Sequence, residues 1–183
     1  MRQEMRSPTD EELMERFCDG DQAAFEALFA RHAGRVRGFL ARMVRDGPLA
    51  EDLLQTTFLS VIRARGRYEP GTRFAPWLLT IGANAARDAL RRRQHVEAYS
   101  RESEPAPSSV QPGVGDPGMR RQLEDALQQL HPDQREAVIL SKVEGWSFEE
   151  IASMRGISVV AARVRAHRGY EKLRQLLGGL EEA

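Results

Sequence analysis

The feature that most constrains this chain is a stretch, residues 99–118, that cannot contribute to a packed core. It reads YSRESEPAPSSVQPGVGDPG and carries almost no large apolar side chains. Such proline-, serine- and glycine-rich segments behave as linkers, because they bury too little apolar surface to offset the entropy lost on ordering. On both sides, apolar residues recur at the three- and four-residue spacing of amphipathic helices. We therefore predict an all-α protein with two small helical domains, 9–98 and 119–180, joined by a flexible linker over 99–118.

Charge and cysteine content narrow the classes of protein that this chain can represent. The 27 basic residues balance the 27 acidic residues, so any nucleic-acid binding must come from local clusters of arginine. Cys18 is the only cysteine, which excludes an internal disulfide or a cysteine zinc site and is typical of a reducing compartment. No run approaches the ~18 apolar residues of a membrane span, and the polar, acidic N-terminus is unlike a signal peptide. We expect a cytoplasmic protein without membrane insertion and without a cofactor.

The segment that begins at Pro48 is predicted to be a helix with two different faces. The core face comprises Ala50, Leu53, Leu54, Thr57, Phe58, Val61 and Ile62. The opposite face carries Asp52, Gln55 and Thr56, together with the apolar Leu59. An exposed leucine can be a scattered surface residue or part of a docking surface for a partner protein. Periodicity alone does not decide between these two interpretations.

A second helix with functional potential follows a turn at Pro70 and Gly71. It is predicted to begin near Ala75 or Pro76, and its far end is strongly basic. The basic residues are Arg87, Arg91, Arg92 and Arg93, with Asp88 as the accompanying acid. Arginine near a helix C-terminus also favours the helix dipole. Three consecutive arginines exceed what capping requires, and the pattern favours a phosphate-binding patch.

The C-terminal block contains the signature of a helix-turn-helix. Ser147 and Glu150 form a capping box, Gly156 supplies a turn, and Ser158 caps a long basic helix. The basic residues of this region are Arg155, Arg163, Arg165, His167, Arg168, Lys172 and Arg174, with Glu171 as the only acid between them. A solvated helix face more typically mixes the signs of its charges. The pattern therefore favours insertion into a DNA major groove.

Three motifs in this order resemble the extracytoplasmic-function sigma factors. AEDLLQTTFLSVIRA resembles the helix with which the family docks on RNA polymerase, and RFAPWLLTIGANAARDALRRR resembles its melting and minus 10 recognition helix. LHPDQREAVILSKVEGWSFEEIASMRGIS resembles the start of its minus 35 recognition domain. The resemblance spans nearly the whole chain, and it implies a two-domain protein that gives promoter specificity to RNA polymerase and is not an enzyme.

The resemblance also implies a role for individual residues. Asp52 and Gln55 would contact the polymerase clamp helices, with Leu59 in the same interface. The minus 10 element would be held by Tyr68, Arg73, Phe74, Asn84, Arg87, Arg91, Arg92 and Arg93, and the minus 35 element by Arg155, Ser158, Arg163, Arg165, His167 and Arg168. The expected partners are core RNA polymerase, promoter DNA and an anti-sigma factor. The recognition helix departs from the family at Val160, Ala161, Ala162 and Val164, which leaves the preferred promoter sequence open.

Other functions account for less of the sequence. A conventional helix-turn-helix repressor or activator would explain the C-terminal domain but neither the Asp52 and Gln55 face nor the arginine-rich helix of the first domain. A hydrolase or transferase is disfavoured, because the four histidines are dispersed and the chain has neither a glycine-rich phosphate loop nor a nucleophile elbow. An interaction protein that sequesters a partner would need no affinity for DNA.

Overall fold

The computed structural model describes residues 6–99 and 117–178. Within these ranges the chain is helical and contains no strand. The N-terminal domain consists of α1 (Asp10–Cys18), α2 (Gln22–Val44), α3 (Gly47–Ala64), a 3-10 turn (Arg65–Arg67) and α4 (Phe74–Tyr99). The C-terminal domain consists of α5 (Pro117–Gln128), α6 (Pro132–Val138), a π-helical turn (Ile139–Val143), α7 (Phe148–Arg155) and α8 (Val159–Gly178). The prediction of an all-α fold with two helical domains is confirmed.

Local capping chemistry sets the helix starts. The Ser147 side chain accepts a hydrogen bond from the backbone N–H of Glu150, whose carboxylate accepts one from Ser147 N–H, so the predicted capping box is present. Asp46 caps α3, and Pro48 lies in its first turn, where the missing N–H is harmless. Gly156 ends α7 with φ at +61°, a left-handed conformation that glycine adopts without steric cost.

The N-terminal domain packs α2, α3 and α4 around one apolar core, with α1 covering an edge. Leu28, Phe39, Leu40 and Phe74 are fully buried in it. His32 is also buried, and its Nε2 lies 2.7 Å from an Asp10 carboxylate oxygen. His32 therefore packs between α1 and α2 and contacts the ring of Phe74. The described residues contain no cluster of three or more potential metal ligands.

The helix-turn-helix of the second domain rests on a close helix crossing. Helix α8 buries Ala162, Ala166, Gly169 and Leu173 on the side that faces α6 and α7. A Cβ atom at Gly169 would lie 2.6 Å from Cγ2 of Val138, so the absence of a side chain lets α8 approach α6. The opposite side of α8 is left facing solvent.

The two domains pack against each other. One continuous cluster of buried apolar residues extends from the N-terminal helices to Ile139, Leu140 and Ile151. The guanidinium of Arg135 crosses this boundary, because its Nη1 donates to the carbonyl of Met43 while its Nε donates to the carbonyl of Leu127. The sequence does not predict this contact between the domains.

The proposed linker, 99–118, falls almost entirely on residues outside the described ranges. Among the described helices, none is long and apolar enough to cross a membrane.

Candidate functional site

The outer face of α3 presents the residues expected from the sequence. Asp52 and Gln55 are exposed, and Leu59 retains 50% of its surface. Phe29 of α2 and Ile62 of α3 are also exposed, and for Ile62 this corrects its predicted place on the core face. Each lies at the margin of its apolar stripe, where a few tens of degrees decide exposure. The face, defined by these five residues, is therefore more apolar than the sequence predicts.

The loop before α4 is held from within the domain. Tyr68 is buried, and the centroid of its ring lies 5.2 Å from that of Trp77 in an edge-to-face arrangement. Its hydroxyl donates to the carbonyl of Thr72. Burial raises the pKa of Tyr68 to about 12, so the phenol keeps its proton. Phe74 is fully buried, whereas Arg73 is exposed and forms an ion pair with Glu150 at 3.1 Å. Of the three loop residues expected at DNA, Arg73 alone projects outward.

Helix α4 places Asn84, Arg91 and Arg92 on its exposed side. Arg91 forms an exposed ion pair with Asp88 of the preceding turn at 3.4 Å. Arg93 lies closer to the protein, 3.8 Å from an Asp46 carboxylate oxygen. The exposed members form one stripe, because positions seven and eight residues apart share a face of a helix.

Helix α8 directs part of its basic set to solvent. Arg163, His167 and Arg168 are exposed, and the Ser158 hydroxyl accepts a hydrogen bond from the N–H of Ala161, which confirms the predicted cap. The guanidinium of Arg163 lies 5.6 Å from the ring centroid of Phe148, a cation–π contact that restrains the arginine on the surface. These residues form the outward face of the helix-turn-helix.

Three other arginines expected at DNA converge on two acids of α6. Glu136 lies 3.3 Å from Nε of Arg87 and 3.4 Å from Nε of Arg155. Asp133 pairs with Arg155 at 2.6 Å and with Arg165 at 3.4 Å. Burial raises the pKa of Glu136 and lowers the pKa of Arg87, while the attraction between the two groups opposes both shifts. Arg87 thereby joins the two domains, whereas Arg155 and Arg165 tie α7 and α8 to α6 within the C-terminal domain.

Sequence reasoning did not single out Asp133 and Glu136. Their spacing of three residues on a helix places both carboxylates on one side, which is a detectable signal. No local pattern, however, indicates that Arg87 of α4 pairs with Glu136, because these two residues are 49 positions apart in the chain.

Two family models match this arrangement of domains. Sigma-70 region 2 matches residues 28–96, which include α3 and nearly all of α4. Sigma-70 region 4 matches residues 120–173, which include the helix-turn-helix. A helical domain and a helix-turn-helix domain that match these regions define a transcription-initiation factor of the sigma-70 type.

Known relatives narrow the class. The chain is 75% identical over 169 residues to the RNA polymerase sigma factor CarQ of Myxococcus xanthus, with 92% of this chain and 97% of that protein covered. It is 31% identical over 175 residues to the ECF RNA polymerase sigma factor SigK of a Mycobacterium species, covering 91% and 89% of the two chains. The chain belongs to the extracytoplasmic-function family of RNA polymerase sigma factors.

Two solved structures share the fold. The sigma factor RpoE of Bartonella quintana, in complex with the anti-sigma factor NepR, superposes with a TM-score of 0.75 at 26% identity, covering 84% of this chain and 96% of that one. CnrH, in complex with the cytosolic domain of CnrY, gives a TM-score of 0.70 at 27% identity, covering 93% and 97%. The protein is thus a sigma factor that binds core RNA polymerase and directs it to promoters, and a conventional repressor or activator is not favoured.

Proposed function

We propose that three surfaces of this sigma factor divide promoter recognition between them. The outer face of α3 docks on the polymerase, α4 with its preceding loop holds the opened minus 10 element, and α8 enters the major groove at the minus 35 element. The first two surfaces belong to the domain at 9–98, the third to the domain at 119–180, and residues 99–118 form the tether. The protein acts in the cytoplasm, requires no cofactor and catalyses no reaction.

The apolar content of the α3 face carries the docking proposal. Leu59 lies one turn beyond the polar Gln55 on the face that also carries Asp52, and Phe29 and Ile62 add further exposed apolar surface. An apolar patch rimmed by polar groups is typical of a protein interface, because its burial supplies free energy while the rim fixes orientation. These five residues are therefore assigned to the polymerase clamp.

The exposed stripe of α4 suits a single DNA strand. Arg91 and Arg92 supply positive charge for phosphates. The Asn84 side-chain oxygen accepts a hydrogen bond from Arg87, and release of Arg87 would leave the whole carboxamide to donate to and accept from a base edge. A protein that holds an unstacked base stabilises the open strand. Binding free energy then favours melting without hydrolysis of a nucleotide.

The outward face of α8 suits duplex DNA. Arg163, His167 and Arg168 project from the first half of this helix, the part that contacts base edges in helix-turn-helix proteins. Arg155 and Arg165, with Ser158, are assigned to the adjacent phosphates, for which the two arginines would exchange their ion pairs with Asp133 of α6 in the same domain. Separation of the two domains would release Arg87 from Glu136 for the minus 10 element.

An anti-sigma factor is the proposed regulator. Support comes from RpoE and CnrH, whose similar structures were solved with NepR and with the cytosolic domain of CnrY. The exposed apolar residues of the α3 face would be covered by such a partner until a signal arrives. Affinity purification from the native cell should recover a small inhibitor in addition to polymerase, and recovery of polymerase alone would remove this support.

Run-off transcription tests the docking assignment directly. Core RNA polymerase is combined with the full chain and native promoter fragments, and the wild type is compared with Asp52→Ala/Gln55→Ala. We expect discrete start sites with the wild type and their loss with the double variant. The matched control is Asp19→Ala/Gln22→Ala, an exposed acid and amide at the same spacing outside α3. If Asp52→Ala/Gln55→Ala supports as much transcription as the wild type and the control variant, docking through this face is refuted.

A further inference from the structure

The recognition helix exposes two valines that the proposed function does not use. Val160 retains 69% of its surface and Val164 retains 41%. The four-residue spacing places them one above the other, about 40° apart around the axis. They lie in the first two turns of α8, on the side opposite the buried Ala162 and Ala166.

Basic residues flank this pair. Arg163 and Arg168 are exposed on either side of the two valines, and His167 lies in the next turn. The guanidinium of Arg163 lies over the Phe148 ring, which restrains it on the side of the strip that faces α7. The nearest acid on this face is Glu171, one further turn along, and it pairs with His167 at 3.3 Å. The surface is therefore an apolar strip within a positive field, complementary to a polyanion that carries apolar groups.

Duplex DNA offers one apolar group on its major-groove edge, the C5-methyl group of thymine. A valine side chain can neither donate nor accept a hydrogen bond, so it cannot distinguish the polar edges of guanine, cytosine or adenine. It can distinguish thymine, because contact between its methyl groups and the thymine methyl removes apolar surface from water. Arginines on both sides would hold the phosphates and purine edges nearby.

We infer that Val160 and Val164 read thymine methyl groups in the major groove of the minus 35 element. They determine a preference for thymine at one or two neighbouring positions of the promoter. This inference rests on the proposed placement of α8 in that groove, and it adds the base and the residues that recognise it.

Replacement of thymine by deoxyuridine provides a test that removes the methyl group and nothing else. Polymerase holoenzyme containing the full chain is used to enrich duplexes from a random pool, and each thymine of the enriched upstream element is replaced in turn. We expect one or two replacements to weaken wild-type binding about fourfold, the factor that corresponds to burying one methyl group. With Val160→Ala/Val164→Ala, the same replacements should have a clearly smaller effect, because alanine presents less apolar surface to the thymine methyl.

Two controls separate this inference from the function on which it rests. Val143→Ala changes an exposed valine of the same domain outside α8, and it should retain the wild-type response to deoxyuridine. Arg168→Ala should weaken binding to every duplex. Alanine favours helix more than valine does, so the α8 variants are expected to fold.

The possible outcomes are distinct. If Arg168→Ala weakens binding but no deoxyuridine replacement affects the wild type, the role of α8 stands and the thymine inference is overturned. If the double valine variant keeps the full deoxyuridine response, the methyl groups are read by other residues and the inference is again overturned. If Arg168→Ala has no effect on any duplex, the proposed placement of α8 itself fails.

Discussion

Replacement of Arg135 by methionine probes the contact that links the two domains. The guanidinium is buried and donates to three carbonyls at the end of α5, those of Leu127 at 2.9 Å, Gln128 at 2.9 Å and Leu130 at 3.3 Å, and to the carbonyl of Met43. Burial, with a smaller contribution from Arg45, lowers the pKa of Arg135 to about 10, so the group remains charged at neutral pH. Methionine retains the apolar stem and removes every donor.

The expected loss follows from two opposing effects. Four hydrogen bonds are lost, but the Leu127 carbonyl still accepts from the N–H of Leu130. The other three carbonyls, of Met43, Gln128 and Leu130, lose their donor, at about 2 kcal/mol each. Removing a buried charge recovers about 3 kcal/mol, on the scale of ~1.4 kcal/mol for each unit of pKa shift. The net expectation is a free energy of unfolding lower by about 3 kcal/mol, a large share of the ~5–15 kcal/mol that stabilises a typical domain.

Urea unfolding of the full chain measures this loss. Fluorescence of Trp146 in a Trp77→Phe background follows the C-terminal domain, and far-UV circular dichroism follows both domains. Arg135→Lys, which keeps the charge but lacks the planar fork of donors, should lose an intermediate amount. Arg174→Met, at an exposed position of α8, should stay within about 0.5 kcal/mol of the wild type. A loss below about 1 kcal/mol for Arg135→Met would refute this reasoning.

Three further predictions concern other contacts. Glu136→Gln removes the charge that pairs with Arg87 across the domain boundary and with Arg155 within the C-terminal domain, so the free protein should become more extended in small-angle X-ray scattering; an unchanged radius of gyration would contradict this. Burial opposes ionisation of Asp10, but the hydrogen bonds from Arg31 and His32 lower its pKa below 3.8. A carboxylate whose pKa is lowered by folding stabilises the fold at pH values above its pKa in the unfolded chain. This stabilisation is lost as the pH falls through its pKa in the folded protein. Asp10→Asn should therefore cost about 1 kcal/mol at pH 7. The difference from the wild type, followed by melting temperature, should begin to shrink as the pH falls below about 4 and close below the lowered pKa of Asp10; a gap that persists there would argue against the ion pair. Gly169→Ala should lower stability by about 1–3 kcal/mol through overpacking, because its Cβ would meet Val138 at 2.6 Å, and Val138→Ala should restore part of the loss; no rescue would show that the clash lies elsewhere.

Elements that depend on neighbours in the chain were predicted well. The Ser147 and Glu150 capping box, the turn at Gly156 and the start of α3 at Pro48 all involve residues within a few positions of one another. Their hydrogen bonds and backbone angles form in the same way whatever surrounds them. For this reason the helix-turn-helix and the division into two domains could be predicted from the sequence.

The candidate site was predicted in part. The exposed residues of the α3 face, Asp52, Gln55 and Leu59, followed from periodicity, and the basic character of α8 followed from composition. Exposure of Phe29 and Ile62 did not follow, because a helical wheel does not specify how far the neighbouring helices extend over its margin. The roles of all these residues in binding remain predictions until the variants are measured.

The amino-acid sequence by itself determined the helices, their caps, the linker composition and the three ordered motifs of a sigma factor, since each depends on short-range spacing along the chain. Only the tertiary structure decided which charged groups meet. Arg87 and Glu136 lie on different domains, and their separation of 3.3 Å results from packing along an apolar boundary that no local pattern encodes. The same packing leaves Val160 and Val164 exposed, because α8 turns its small residues inward to approach α6 closely.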